Sequence, residues 1–235
     1  MQLSFDLRAT YATALEKVLM KSDNFTASDS LPVDASATSQ LARMGRVQRF
    51  APHTIVLIEG DFSDGVFVIL QGRVKAFVSE PDGGEIVLSV LGPGECFGEM
   101  TLDGGPRIAS VITLENVSCS VISRAALRAA IAGDSKCALW MIELLIARTR
   151  LATKLIKDLA LHDVYVRVTH LLQSLAHESS GTSVVSERLS QQEIANRVGA
   201  SRDMVSRVIK ELIAGGYIAM EHKAITLIKK FPLRW

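Results

Sequence analysis

Between residues 47 and 122 the apolar positions come in short β-rich runs, broken at close intervals by turn chemistry. The runs are 54–58, 65–70, 74–78, 86–91, 109–114 and 117–122; the breaks are Gly60-Asp61, Gly72, Pro81-Asp82-Gly83-Gly84 and Gly92-Pro93-Gly94. Glycine punctuates because it reaches positive φ without a clash, and proline because it lacks an N–H for a ladder. Strands at this spacing, with such turns between them, predict a sandwich, roll or barrel.

On either side the period changes to that of a helix. Residues 1–21 place Leu7, Tyr11, Leu15, Val18 and Leu19 on one face, predicting a short amphipathic helix. A Ser/Asp-rich stretch, 22–32, predicts a loop, and a second helix spans about 34–45. After the strands come a short Ala-rich helix, 124–132, and a long one, about 136–160, without internal Pro or Gly. At ~1.5 Å per residue the long helix is roughly 40 Å in length. Its Leu139, Ile142, Ile146, Thr149, Thr153, Ile156 and Ala160 recur in steps of three and four. That seam suits a helix pairing with a copy of itself; the same spacing also suits a long helix packed on its own domain.

A further helix starts at Asp163 and ends in a polar stretch, 177–183. Ser190 and Glu193 then have the spacing of a capping box opening a helix that Gly199 breaks. Ser201 caps a second helix, 202–214, which Gly215-Gly216 ends. Two short helices joined by a three-residue turn containing Gly predict a helix-turn-helix. Ile194, Val198, Val205, Val208, Ile209 and Leu212 face its core, and Arg202, Asp203, Ser206, Arg207 and Lys210 are left outside. Residues 217–220 and 224–228 alternate around Glu221-His222-Lys223, which predicts a two-stranded wing.

Charge sharpens this reading. The chain of 235 residues carries a net charge of only +1, but residues 186–235 carry +4 and the rest −3. A basic end on a mildly acidic body is expected where one end meets phosphate. Arg can fork onto guanine, Asp can accept from cytosine N4, and Ser is a small adaptable donor, so the outer face suits a major groove. The three cysteines, Cys96, Cys119 and Cys137, are odd in number and lack metal-ligand spacing, which predicts reduced, buried thiols. Asp6, Arg8, Glu16 and Lys17 interrupt the first apolar residues, so a signal peptide is not expected. With no apolar run long enough for a membrane span, a soluble cytoplasmic protein is the expectation. Neither a nucleophile–base pair, nor a metal cluster, nor a P-loop stands out, so catalytic and metal sites are not expected.

Two motif blocks carry a resemblance. The first runs from Gly60-Asp61 through Gly65-Val66-Phe67-Val68-Ile69-Leu70-Gln71-Gly72-Arg73-Val74 and Leu91-Gly92-Pro93-Gly94-Glu95-Cys96-Phe97-Gly98-Glu99-Met100 to Pro106-Arg107-Ile108-Ala109-Ser110-Val111. It resembles the cyclic-nucleotide-binding fold with its phosphate cassette. The second, 189–210, resembles the helix-turn-helix of the Crp/Fnr family of bacterial regulators, the family of the catabolite activator protein. The likeness covers about residues 34–230 and implies an α+β chain: an N-terminal cyclic-nucleotide-binding-type β-roll, a long dimerisation helix and a C-terminal winged helix-turn-helix. The expected divisions are an N-terminal helical segment 1–45, an effector-binding roll 46–133, a dimerisation helix 134–161 and a DNA-binding domain 162–235.

The resemblance also implies site residues. Glu99 stands where the family holds a ribose 2′-hydroxyl and Arg107 where it pairs with the cyclic phosphate. Gly98, Met100, Ile108 and Thr153 complete the expected effector set. A carboxylate accepts from a hydroxyl, a guanidinium forks onto phosphate oxygens, and backbone amides near Gly98 could add donors. The chain departs from the pattern in three places. The stretch from Glu99 to Arg107 is a residue or two short, Ile108 replaces a phosphate-binding Ser, and Ala152-Thr153 replaces a Thr-Ser pair that meets the base across the dimer. No cofactor is obligatory. Cyclic AMP, cyclic GMP or cyclic di-GMP is the expected allosteric effector, and a regulator with a degenerate pocket that needs no effector is the alternative.

With no Cys before Cys96 an iron–sulfur sensor is not expected, and His53, His162, His170, His177 and His222 are too scattered to suggest haem. On DNA, Arg202, Asp203 and Arg207 match base-reading positions, with Ser190, Gln191, Ser201, Ser206 and Lys210 beside them. Expected partners are double-stranded DNA at a palindrome with half-sites of TGTGA type, a second copy of the chain, and RNA polymerase; a membrane is not expected.

Overall fold

A four-stranded sheet whose inner strands are covered on both faces forms the centre of the N-terminal half. The structure is a computed structural model that describes residues 35–80, 84–179, 182–185, 187–221 and 224–232. The expected helix 1–21 and loop 22–32 lie outside the described residues. Helix α1 (Ala35–Met44) leads into β1 (Arg46–Phe50), β2 (Ile55–Leu57), β3 (Gly65–Gln71), β4 (Val74–Ser79), β5 (Glu85–Leu91) and the two-residue β6 (Cys96–Phe97). A 3-10 turn (Glu99–Asp103) follows, then β7 (Ser110–Thr113) and β8 (Val117–Ser123). The strands make two antiparallel sheets, β1-β8-β3-β6 and β2-β7-β4-β5, folded into a roll.

Strand β3 shows how the sequence produces this. Its Val66, Phe67, Val68 and Ile69 are all buried, and successive side chains point to opposite faces. Phe67 and Ile69 pack inside the roll with Leu57, Val74, Leu91, Phe97 and Val111. Val66 and Val68 face outward, onto helix α2 (Arg124–Gly133) and helix α3 (Ser135–Leu161), against Leu127, Trp140, Met141 and Leu144. A continuous apolar run therefore marks a strand covered on both sides. The three thiols are buried and free. Burial pushes Cys119 up to about 12 and Cys96 well above the ordinary thiol range, so both stay protonated at neutral pH.

Helix α3 runs 27 residues, close to the length the sequence predicts. The Asp134 carboxylate caps its start, accepting from Lys136 N. It packs on the roll through Cys137, Trp140, Met141 and Leu144, not through the predicted seam. Leu139, Ile142, Ile146 and Ile156 are 57%, 54%, 46% and 67% exposed, and Thr149, Thr153 and Ala160 are exposed with them.

Beyond it, α4 (Val164–Leu175) is followed by β9 (Ala176–Ser179), β10 (Thr182–Val185), α5 (Gln191–Val198), α6 (Arg202–Ala214), β11 (Ile218–Glu221) and β12 (Ala224–Leu227). The sequence assigns no element to the polar stretch 177–183. Its described residues belong to the antiparallel pair β9 and β10, and β10 also pairs with β12, so the wing belongs to a four-stranded sheet β11-β12-β10-β9. The hairpin escapes a hydrophobicity pattern because, among its described residues, only Val185 belongs to the buried core, and ladder bonds join its strands. His222 and Lys223, at the tip of the predicted wing, lie outside the described residues.

Candidate functional site

The cassette of the roll and the long helix line an open-sided cavity of about 470 Å³. Gly98, Glu99, Met100, Arg107 and Ile108, five of the six expected effector residues, line it; Thr153 does not. Leu57, Ala76, Leu88, Phe97 and Val111 make apolar walls from the sheets, and Arg148, Thr149, Leu151, Ala152, Leu155 and Ile156 close it from α3.

Local geometry seats Arg107 deeply. Its backbone N–H donates to Asp61 O at 2.8 Å and its carbonyl accepts from Gly60 N at 2.8 Å, which ties it to the turn after β2. Its guanidinium donates from Nε to Ser63 Oγ at 2.8 Å, from Nη1 to Gly98 O at 2.6 Å and from Nη2 to Gly65 O at 2.6 Å. Of five N–H donors, two are left for a ligand. Burial lowers its pKa from the ordinary value, and the Glu99 and Asp64 carboxylates raise it again, so the group stays charged. Gly98 makes this possible: at φ 80° a Cβ there would stand 2.8 Å from Arg107 Nη1 and 3.0 Å from Gly65 O. Arg107 thus supports the loops around the cavity as well as lining it, a double role that its place in a motif does not disclose.

Glu99 is 2% exposed. Arg148 of α3 reaches it, with Nε 3.0 Å from Glu99 Oε1, and donates from Nη2 to Cys96 O at 2.6 Å. The Nε contact is an ion pair without hydrogen-bond alignment. This pair joins the cassette to the long helix. Sequence reading missed Arg148, since only the fold brings α3 onto the cassette. Thr153 Oγ1 is exposed and donates to Thr149 O at 2.9 Å, on the seam side of α3.

In the C-terminal half the capping box is complete. Ser190 Oγ accepts from Glu193 N at 3.2 Å, and Ser190 N donates to Glu193 Oε2 at 2.7 Å. Gly199 adopts the left-handed conformation at the turn, and Ser201 Oγ accepts from Met204 N at 3.3 Å. Ile194, Val198, Val205, Val208, Ile209 and Leu212 are all buried in one core. Arg202, Asp203, Arg207 and Lys210 are exposed along one side of α6, with Ser206 half-buried among them. Gln191 and Ser190 are half-buried at the start of α5, and the hydroxyls of Ser190 and Ser201 cap their helices.

Helix α5 also touches the roll. Asn196 Nδ2 donates to Glu85 Oε1 at 3.0 Å, and Glu187 bridges Arg197, at 2.6 Å, to Arg73 of the roll, at 3.5 Å. Among the described residues no group of His, Cys, Asp and Glu is placed to hold a metal, and no helix is long and apolar enough to cross a membrane.

A lined cavity in a β-roll, joined by a long helix to a winged helix-turn-helix, is the arrangement of a DNA-binding transcription regulator with a domain of the cyclic-nucleotide-binding type. Residues 47–134 match the cyclic nucleotide-binding domain family and residues 166–233 the Crp-like helix-turn-helix domain family. The CRP-like cAMP-activated global transcriptional regulator of Mycobacterium tuberculosis is 32% identical over 200 residues, covering 83% of this chain and 89% of that protein. The cAMP-activated global transcriptional regulator Vfr of Pseudomonas aeruginosa is 29% identical over 188 residues, covering 77% and 88%. Among solved structures, the c-di-GMP responsive global regulator CLP of Xanthomonas campestris superposes with a TM-score of 0.73 at 27% identity, covering 84% of this chain and 100% of that one. The chain belongs to the Crp/Fnr family of transcription regulators.

Proposed function

We propose that the protein is a cytoplasmic homodimer that binds palindromic DNA under control of a cyclic nucleotide held in the roll. The Glu99–Arg148 pair carries this reading, because it places a residue of the long helix at the wall of the effector cavity. A ligand that competes for Glu99 then acts directly on α3, whose exposed apolar seam reaches the cavity at Thr149 and Ile156. Two such seams brought together bury Leu139, Ile142, Ile146 and Ile156, and parallel pairing carries Thr153 of each chain toward the other's cavity. The relatives from Mycobacterium and Pseudomonas are cAMP-activated by name and that from Xanthomonas responds to c-di-GMP, which supports a cyclic nucleotide without choosing among them.

Calorimetric titration with cyclic AMP, cyclic GMP and cyclic di-GMP tests the reading. Ile108 is 59% exposed and lines the cavity beside Arg107, so substitutions there change the phosphate's surroundings without disturbing the core. Ile108→Ser adds a hydroxyl donor and is expected to tighten cyclic-mononucleotide binding about tenfold, the value of one hydrogen bond to a charged group. Ile108→Glu is expected to abolish binding by repelling the phosphate. Silence of all three nucleotides, in the wild type and in Ile108→Ser, would remove this effector class. A specific observation favours the second reading, a regulator that needs no effector: Glu99 already has Arg148, and Arg107 already makes three hydrogen bonds. On that reading operator binding is the same with and without nucleotide.

For DNA, Arg202 and Arg207 are assigned to guanines of each half-site and Asp203 to a contact shorter by one methylene than a Glu would make. Ser190, Gln191, Ser201, Ser206 and Lys210 supply phosphate or adjacent contacts, and RNA polymerase is the expected protein partner. Arg207→Ala is expected to cost about 1–3 kcal/mol and to relax preference at one base pair. An equal loss on every sequence, measured by competition binding, would reassign Arg207 to the backbone.

A further inference from the structure

A second cleft, of about 720 Å³, is walled by the C-terminal half of α3, by α4 and by the end of α5, and Leu155 stands between it and the effector cavity. Its volume is that of a small-ligand site. Its charge is one-sided: Arg150, Lys154, Lys157, Arg167 and Arg197 line it, with Asp158 as the only carboxylate among its lining residues. Asp158 is itself engaged, with Oδ1 3.0 Å from His162 Nδ1. Arg167 caps α5 by donating from Nη1 to Val198 O and Gly199 O, and Arg197 pairs with Glu187. Arg150 and Lys157 are exposed and have no ion-pair or hydrogen-bond partner among the described residues.

Self-association does not neutralise these two. With Leu139, Ile142, Ile146, Thr149, Thr153 and Ile156 on the seam, Arg150 and Lys157 fall on one flank. In a parallel pair that flank meets the opposite flank of the facing helix, whose residues here are Leu145 and Ala152. No acid stands opposite, so the proposed dimer leaves the positive charge of the cleft uncompensated.

We propose that this cleft is a second ligand site and that it takes a small phosphate-bearing molecule. Phosphate oxygens suit its guanidinium and ammonium donors, which come from both sides of the junction at His162-Asp163 between α3 and α4. An oxyanion bridging Arg150 or Lys157 to Arg167 or Arg197 ties the long helix to the DNA-binding half. Its occupancy therefore biases how that half is held, independently of the cavity in the roll.

The test titrates pyrophosphate into the full-length protein by calorimetry at fixed ionic strength, beside Arg150→Glu/Lys157→Glu and the milder Lys157→Gln. Both side chains are exposed, and an unchanged Tm and dimer mass verify the fold. Saturable binding is expected in the wild type, weaker by at least about tenfold in the double variant and by less in Lys157→Gln. The response to cyclic nucleotides, whatever its size, is expected to be the same in all three, which separates this cleft from the cavity in the roll. Absence of saturable binding, or equal binding by wild type and double variant, overturns the proposal. So does a double variant with unaltered pyrophosphate binding whose DNA affinity, measured on the dimer, has a log–log salt slope reduced by about four, since that assigns both cations of each chain to DNA phosphates.

Discussion

Ile146→Glu is expected to convert the protein into a folded monomer and to lower its affinity for a palindromic site by two to four orders of magnitude. Ile146 lies midway along the seam and is 46% exposed in the single chain, so the substitution removes little from the fold of one chain. In a two-fold pair it brings two carboxylates together in the interface. Each loses hydration worth several kcal/mol, and the lost apolar burial adds about 1 kcal/mol per chain. A total above about 5 kcal/mol corresponds to more than a thousandfold in dimer dissociation. Linked half-site readers gain roughly 10²–10⁴ from effective concentration, and a monomer forfeits that gain. Light scattering reads the mass, and gel shifts on one and two half-sites read the DNA. A variant that stays dimeric would show that α3 pairs through another face, or that the dimer is built elsewhere.

Arg107→Ala is expected to abolish the effector response and to lower Tm by about 6–12 °C. The buried guanidinium makes hydrogen bonds to Ser63 Oγ, Gly98 O and Gly65 O, and Ala leaves both carbonyls without that donor. Each such loss costs roughly 1–3 kcal/mol, so ~3 kcal/mol is a reasonable total. For a chain of this size each kcal/mol shifts Tm by about 2–4 °C. Arg107→Lys keeps the charge but cannot form the three-way fork, so it is expected to fall between the two in stability and to bind nucleotide weakly. Differential scanning calorimetry with and without cyclic AMP separates the two roles. An unchanged Tm for Arg107→Ala would mean that the three contacts do not support the loops. Because stability and binding are mixed at Arg107, the exposed Ile108 is the better place to change the pocket alone.

What was legible in advance follows from where the signal is local. The helix-turn-helix could be read residue by residue because Ser190, Glu193, Gly199 and Ser201 act on backbone within four positions of themselves. Strand β3 was legible from its unbroken apolar run, and the cassette from a motif whose Gly98, Glu99, Met100, Arg107 and Ile108 do line one cavity. The hairpin of β9 and β10 was missed because its stability comes from ladder bonds to β12, about forty residues further on, and not from its own composition. Arg148 was missed for a related reason: on α3 it is one charged residue among several until the helix is laid against Glu99.

By itself the sequence determined the order and type of most elements, the polarity of each helix face and the chemistry carried by the two motif blocks. Those properties depend on backbone sterics, capping and the period of apolar residues, all acting over a few positions. Tertiary structure alone decided that Arg107 holds two loops as well as lining a cavity. It also decided that Glu99 faces Arg148 and not solvent, and that the α3 seam is left bare while its opposite face covers the roll. The contact of Asn196 with Glu85 and the basic cleft beside His162 were settled at the same level. Each depends on groups far apart in the chain whose distances only packing sets, and on burial, which governs how strongly a charge seeks a partner.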